Sequence, residues 1–234
     1  MGIQASHSGV KRRRRGEARS CSGVSRNATA INKILTLLKK QRPSAGCSLD
    51  FKTPHQLLVA TILSAQCTDD RVNAITPALF CKYGTVADFA DSSISELEND
   101  IRSTGFFHNK AKAIQESSKI IMQQYGGLVP DSMKGLIKFP GVGRKTASVV
   151  LGTAFGKTEG IVVDTHVTRL SKRLGFTEEE DALKIENDLM SIIPKKEWIM
   201  FSHLMIFHGR TVCKARKPDC KNCVIAKYCP SAML

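Results

Sequence analysis

Four cysteines, Cys213, Cys220, Cys223 and Cys229, fall within 17 residues in the spacing C-x6-C-x2-C-x5-C. Thiolates so placed hold soft metals. Four of them can bind one zinc ion at about 2.3 Å or the irons of a cubane cluster, and spacing alone leaves both open. The remaining cysteines, Cys21, Cys47, Cys67 and Cys81, are dispersed. No apolar run of signal-peptide length follows the basic run Lys11-Arg12-Arg13-Arg14-Arg15. The expectation is therefore a reducing compartment and a metal site, not a disulfide framework.

A second constellation is Phe139-Pro140-Gly141-Val142-Gly143-Arg144-Lys145. A short apolar helix ends at Phe139, Pro-Gly-x-Gly makes a turn suited to small residues, and another helix starts near Arg144. Gly141 and Gly143 let backbone N–H groups approach an anion, and a helix start adds about half a positive charge. With Arg144 and Lys145 following, this turn reads as a phosphate site; an ordinary helix–helix turn is the plainer alternative. On composition Lys145 is a phosphate-contacting cation. Its amine becomes a nucleophile only when unprotonated, which partial burial at a positive helix end beside Arg144 would favour. Asp164, 19 residues further on, starts a helix and reads as its N-cap. A capping carboxylate is also rigidly held, so it can stabilise a developing positive charge.

Lysine and arginine exceed aspartate and glutamate by 35 to 21, a net +14 in 234 residues. Such an excess attracts polyanions, nucleic acid first among them. With 42% apolar and 24% charged residues, wholesale disorder is excluded. The longest stretch free of charged side chains, Thr53 to Thr68, is 16 residues, too short and polar to span a bilayer.

The elements that must position these residues are helical. Residues 1–27 are rich in Ser, Gly and Arg and read as a basic tail. Ile31, Ile34, Leu35, Leu37 and Leu38 then form an amphipathic stripe closed by Pro43. Periodicity places further helices over Pro54–Gln66 (apolar and buried), Asp69–Tyr83, Ser93–Ser103, Asn109–Tyr125, Thr165–Leu174, Glu179–Ile193 and Lys195–Gly209. Only Gly160–Val163 is strand-like. The fold class is all-α, without a repeat of fixed period.

The segment Phe-Pro-Gly-Val-Gly-Arg-Lys-Thr-Ala at 139–147 resembles the helix-hairpin-helix of the endonuclease III family of DNA glycosylases. Val163-Asp164-Thr165-His166 resembles that family's Val-Asp-Thr-His, and the likeness runs from about Asn27 onward. It implies two helical lobes with a DNA groove between them: a six-helix barrel lobe at 47–157 carrying the hairpin, and a cluster lobe joining 28–46 to 158–234. It implies Lys145 as a Schiff-base nucleophile and Asp164 as the catalytic carboxylate facing it. It also implies a 4Fe–4S cluster on Cys213, Cys220, Cys223 and Cys229. Ser64-Ala65-Gln66-Cys67-Thr68-Asp69 is similar to a family loop that fills the hole left by a flipped base, with Gln66 as the polar plug. Thr104-Gly105-Phe106-Phe107-x-Asn109-Lys110 is similar to a second such loop, with Phe106 as an apolar wedge in place of the more usual Leu. Without the resemblance, Gln66 reads as a helix cap and Phe106 as core. Lys214, Arg216 and Lys217, between two cluster cysteines, form a basic finger suited to phosphate. Ser148, where the family often has Asn, and Cys67, where Ala is common, depart from the pattern.

The activity so implied is a bifunctional glycosylase and abasic-site lyase acting on oxidised or ring-saturated pyrimidines. Its partner is double-stranded DNA bearing a damaged base or abasic site, with no membrane, and a monomer is expected. The location is the cytoplasm and nucleoid for a bacterial chain, the nucleus or an organelle for a eukaryotic one. Three rivals stand beside it: an adenine–mismatch glycosylase, a mismatch thymine or uracil glycosylase, and a non-catalytic DNA-binding or redox-sensing module. Lys145 and the absence of an acidic residue in Gln56–Gln66 oppose the first.

Overall fold

An apolar sequence with no polar face needs cover on all sides, and α2 (Pro54–Leu63) has it. Leu57, Leu58, Val59, Ala60, Ile62 and Leu63 are all buried, covered by α3 (Asp69–Lys82), α6 (Phe107–Tyr125) and α8 (Arg144–Phe155). In the computed structural model, described for residues 22–43 and 45–233 with the side chains of 22–29 excepted, no strand occurs among the described residues. Helices α4 (Val86–Ala90) and α5 (Ile94–Asp100) pack on α6, and α7 (Met133–Leu136) packs on α8. Together they enclose one core, from Leu49 to Leu151.

A second core is separate from the first. The predicted stripe of α1 (Ser22–Gln41) contributes Ile31, Ile34, Leu35 and Leu38. It packs on α10 (Ala182–Ile192) and α11 (Trp198–Thr211), and α9 (Thr165–Arg173) completes the group. Val167, Leu170, Ile185, Leu189, Phe201, Leu204 and Met205 fill it. The chain thus begins and ends its described course in one core and builds the other between.

Several boundaries differ from those read in sequence. Residues 22–27, assigned to the tail on composition, are already helical, since a helix nucleated by a packed stripe propagates outward at little cost; the rest of the tail, with Cys21, lies outside the described residues. Helix α2 stops at Leu63, three residues before Gln66, which has a left-handed φ of +54°. Helix α10 starts at Ala182 rather than Glu179, because the Asp181 carboxylate accepts from the Leu183 and Lys184 N–H groups. The strand-like Gly160–Val163 forms neither strand nor helix, and Gly160 lies in a bend.

Candidate active site

Helix α7 is capped by Ser132, whose hydroxyl accepts from Gly135 N–H. Phe139 and Val142, both buried, pin the following turn to the first core, with Phe139 edge-on to Tyr125 at 6.0 Å. Between them Gly141 has φ +73°, and a Cβ there would meet Ala113 Cβ at 3.2 Å. The steric demand for glycine sits at Gly141. At Gly143 the backbone is extended and a Cβ would meet no protein atom within 4 Å.

Gly143 is nonetheless the N-cap of α8, and it offers no side chain to the helix start; the first turn carries no acid either. The N–H groups of Arg144, Lys145 and Thr146 precede the first intrahelical bond, Ala147 N–H to Gly143 O at 3.0 Å. Unpaired donors, the helix dipole and two cations therefore meet at one exposed point. Arg144 is also shared: its Nη2 lies 3.4 Å from Oε1 of the buried Glu186 on α10.

Lys145 is exposed, so the partial burial that would favour its neutral amine is absent: it stands on the open first turn of α8 and lines a cavity of about 460 Å³. Asp164 lines the same cavity. As the N-cap of α9 its Oδ1 accepts from His166 N–H at 2.9 Å and Val167 N–H at 2.8 Å. Oδ2 makes no hydrogen bond among the described residues, so half of this carboxylate is structural and half is available. The His166 ring is held by Arg169, whose Nη2 lies 3.2 Å from Nδ1 and also donates to the carbonyls of Gly209 and Cys213 at 3.0 Å each. The Arg169 guanidinium, itself anchored on two backbone carbonyls, thus fixes the place of the imidazole. Burial first, then the charges of Arg169 and Arg210 against the opposing pull of Asp164, holds its pKa below the ordinary value.

The two loops expected to enter DNA share a backbone feature. Gln66, at +54°, and Phe106, at +49°, are the non-glycine residues with left-handed φ among the described residues. Both are exposed, Phe106 to 64%. Gln66 lines the cavity, the cap of α2 is Ser64, and Phe107 packs on the core. Neither alternative reading, Gln66 as cap or Phe106 as core, describes these residues.

Sequence reasoning missed a polar bridge across the cavity wall. Arg210, in the last turn of α11, pairs with Asp69 at 2.9 Å and reaches Ser48 Oγ at 3.3 Å, while Asn73 Nδ2 donates to Ser48 O at 2.7 Å. It ties the second core to the start of α3 beside the Gln66 loop. Asp69 stood inside a quoted motif; Arg210 carried no local signal, since its partner lies more than a hundred residues away.

Cys213, Cys220, Cys223 and Cys229 line one cavity of about 280 Å³. Arg173 Nη1 donates to Cys213 Sγ at 3.1 Å, and His208 Nε2 lies 3.4 Å from Cys223 Sγ. The buried His208 Nδ1 has no partner among the described residues. Burial, with the mutual charges of the four sulfurs, pushes the Cys223 and Cys229 thiols up. No group of three or more His, Cys, Asp or Glu among the described residues is close enough to grip a single ion. Four sulfurs facing one cavity make a donor set suited to a soft-metal centre. Lys214, Arg216 and Lys217 project from the same segment and are exposed. Arg173 anchors its backbone through the carbonyls of Lys214 at 3.0 Å and Ala215 at 2.8 Å.

An all-helical fold, a glycine-started hairpin helix and a capping aspartate across one cavity define a class, and similarity to known proteins names it. Residues 59–195 match the HhH-GPD superfamily of base excision DNA repair proteins, to which this chain belongs. Within that superfamily it falls in the endonuclease III family. It is 56% identical to endonuclease III of Synechocystis sp. over 199 residues, covering 85% of this chain and 91% of that one. It also superposes on a non-covalent endonuclease III–DNA complex with a TM-score of 0.81 at 47% identity, covering 88% of this chain and 96% of that one. A trapped endonuclease III–DNA covalent intermediate matches with the same TM-score and coverage at 46% identity.

Proposed function

We propose that this chain is a bifunctional DNA glycosylase and abasic-site lyase of base excision repair, removing oxidised or ring-saturated pyrimidines of the thymine glycol type from double-stranded DNA. The observation that carries this reading is the shared cavity of Lys145 and Asp164; the trapped covalent intermediate of a relative supports it. The unprotonated Lys145 Nζ attacks C1′ of the damaged nucleotide. The C1′–N bond breaks, and its electron pair leaves with the base, which takes up a proton. Opening of the sugar gives an iminium between Nζ and C1′. That iminium acidifies the C2′ hydrogen, and its removal expels the 3′ phosphate by β-elimination. The Asp164 carboxylate stabilises the positive charge that builds at C1′ as the base departs.

The remaining residues divide the binding. The open N–H groups of α8, with Gly141, Gly143 and Arg144, take a phosphate near the lesion, and Lys214, Arg216 and Lys217 take others. Gln66 and Phe106 enter the duplex once the base has turned out. Cys213, Cys220, Cys223 and Cys229 would hold a 4Fe–4S cluster, whose ligation would tie together a segment with little regular structure of its own. The two lobes are read as 28–46 with 158–234 and as 47–157, a division that the two separate cores support. No described helix is long and apolar enough to cross a membrane. The protein works as a monomer, in the nucleoid of a bacterium or the nucleus or an organelle of a eukaryote.

Borohydride trapping on abasic duplex DNA tests the reading. The native chain forms a stable adduct, and Lys145→Gln binds the same DNA but forms none, because an amide makes no imine. Undiminished trapping in Lys145→Gln would move the nucleophile elsewhere.

A further inference from the structure

Lys110 is only 5% exposed, an unusual place for an ammonium. Its Nζ donates to Leu63 O at 2.8 Å and to Thr104 O at 2.9 Å. No carboxylate pairs with it among the described residues, so two neutral carbonyls carry the cation. Leu63 is the last residue of α2, where carbonyls lack helical partners and the dipole is negative. Thr104 closes a single 3-10 turn, Arg102–Thr104, ahead of α6. One side chain on α6 thus grips two segments, 47 and 6 residues away along the chain.

Each gripped carbonyl stands shortly before one of the two strained loop residues. Gln66 follows Leu63 by three positions and Phe106 follows Thr104 by two. Non-glycine residues stay left-handed only where their surroundings hold them there. Gly105, between Thr104 and Phe106, has φ +70° and nothing within 4 Å of where a Cβ would stand, so no packing at that residue fixes the loop. Burial pushes the Lys110 pKa down, opposed by nearby Cys67. An apolar residue would avoid that desolvation cost but could not bond both carbonyls.

We propose that Lys110 is a positioning residue whose ammonium clamps the Gln66 and Phe106 loops at one fixed separation, so that plug and wedge enter the duplex together. The inference rests on the glycosylase reading above and adds to it the device that makes two loops act as one. Lys110 touches neither the cavity nor the reacting atoms. It therefore affects steps that need insertion into a duplex, while β-elimination at an abasic site already free of base pairing does not need it.

Lys110→Met keeps the length of the side chain and removes its donors. Single-turnover excision of a damaged base from duplex DNA is expected to fall roughly 10- to 100-fold, the scale of an ångström-level misplacement. Strand cleavage at an abasic site in single-stranded DNA is expected to stay at the native rate. Parallel loss on both substrates would mean a merely structural lysine and overturn the clamp, as would no loss on either. If the Met variant is insoluble, Lys110→Arg, which keeps the charge but not the point geometry, is read by the same two rates with the same outcomes. Native borohydride trapping separates the two levels. Trapping with an unchanged duplex rate in the variant overturns the clamp alone; no trapping in the native chain overturns the glycosylase reading and the clamp with it.

Discussion

Helix α8 begins on Gly143 and helix α9 on Asp164, and both beginnings open onto the same cavity. The aspartate spends one carboxylate oxygen on the first N–H groups of its own helix, so the positive end of α9 is satisfied internally and orients a negative group. The glycine leaves the first N–H groups of α8 without a side-chain partner, and two cations follow where an acid would ordinarily help. One helix start has been used to build the site; the other is kept open for an anion the chain does not supply. On the proposed reading, capping chemistry usually read as a matter of stability would divide the labour between holding DNA and acting on it.

Removing the charge at α9 while keeping the cap should have the largest effect. Asp164→Asn retains the Oδ1 acceptor, so thermal stability should stay near native while single-turnover excision falls roughly 10²-fold or more, the loss expected for a key preorganised charge. Native excision rates in that variant would remove Asp164 from the chemistry and leave it a cap.

Closing α8 in the manner of α9 should reverse its role. Gly143→Asp has room for its side chain and a backbone suited to an N-cap. Helix stability should rise by only about 0.3–1 kcal/mol, because glycine is already a tolerated N-cap and the gain comes chiefly from a negative charge at the helix dipole. DNA affinity should fall roughly 10-fold as a carboxylate replaces the phosphate, since a charge-assisted hydrogen bond contributes about 1.5–3 kcal/mol. Thermal melting and binding isotherms on one preparation read both. A stabilised variant with unchanged affinity would show that no phosphate sits there.

The smallest effect on lesion processing belongs to the basic finger. Replacing Lys214, Arg216 and Lys217 by Ala should weaken intact and lesion-bearing duplexes by similar factors. It should also flatten the salt dependence by up to about 0.9 for each phosphate that is no longer neutralised. Loss of lesion preference in that variant would give the finger the recognition role assigned to Gln66.

What could be read in sequence followed the range of the interaction involved. The stripe of α1, the apolar run of α2 and the capping role of Asp164 are local patterns, and each appears in the structure as read. Helix α4 escaped because five residues give no periodicity; its signature is the capping box between Thr85 and Asp88. Lys110 stands at the end of the second loop motif, but its burial cannot be read there, since only the approach of two carbonyls, one of them 47 residues away, makes it a buried cation. Arg210 is invisible for the same reason. The exposure of Lys145 is likewise not a local property, since it depends on what packs over the helix start, and here the cavity leaves it open.

The packing of α1 against α10 and α11 also has a consequence for how the protein is made. Translation runs from the first residue onward, and 147 positions separate Leu38 from Ile185. At about 5–20 residues per second the ribosome needs roughly 7–30 s to cover that distance. During that time the central segment can complete its own core, while Ile31, Ile34, Leu35 and Leu38 have no permanent cover. Over that interval the nascent chain carries an unsheltered apolar helix, so the stage before α10 emerges is the one at which its exposed surface favours aggregation most.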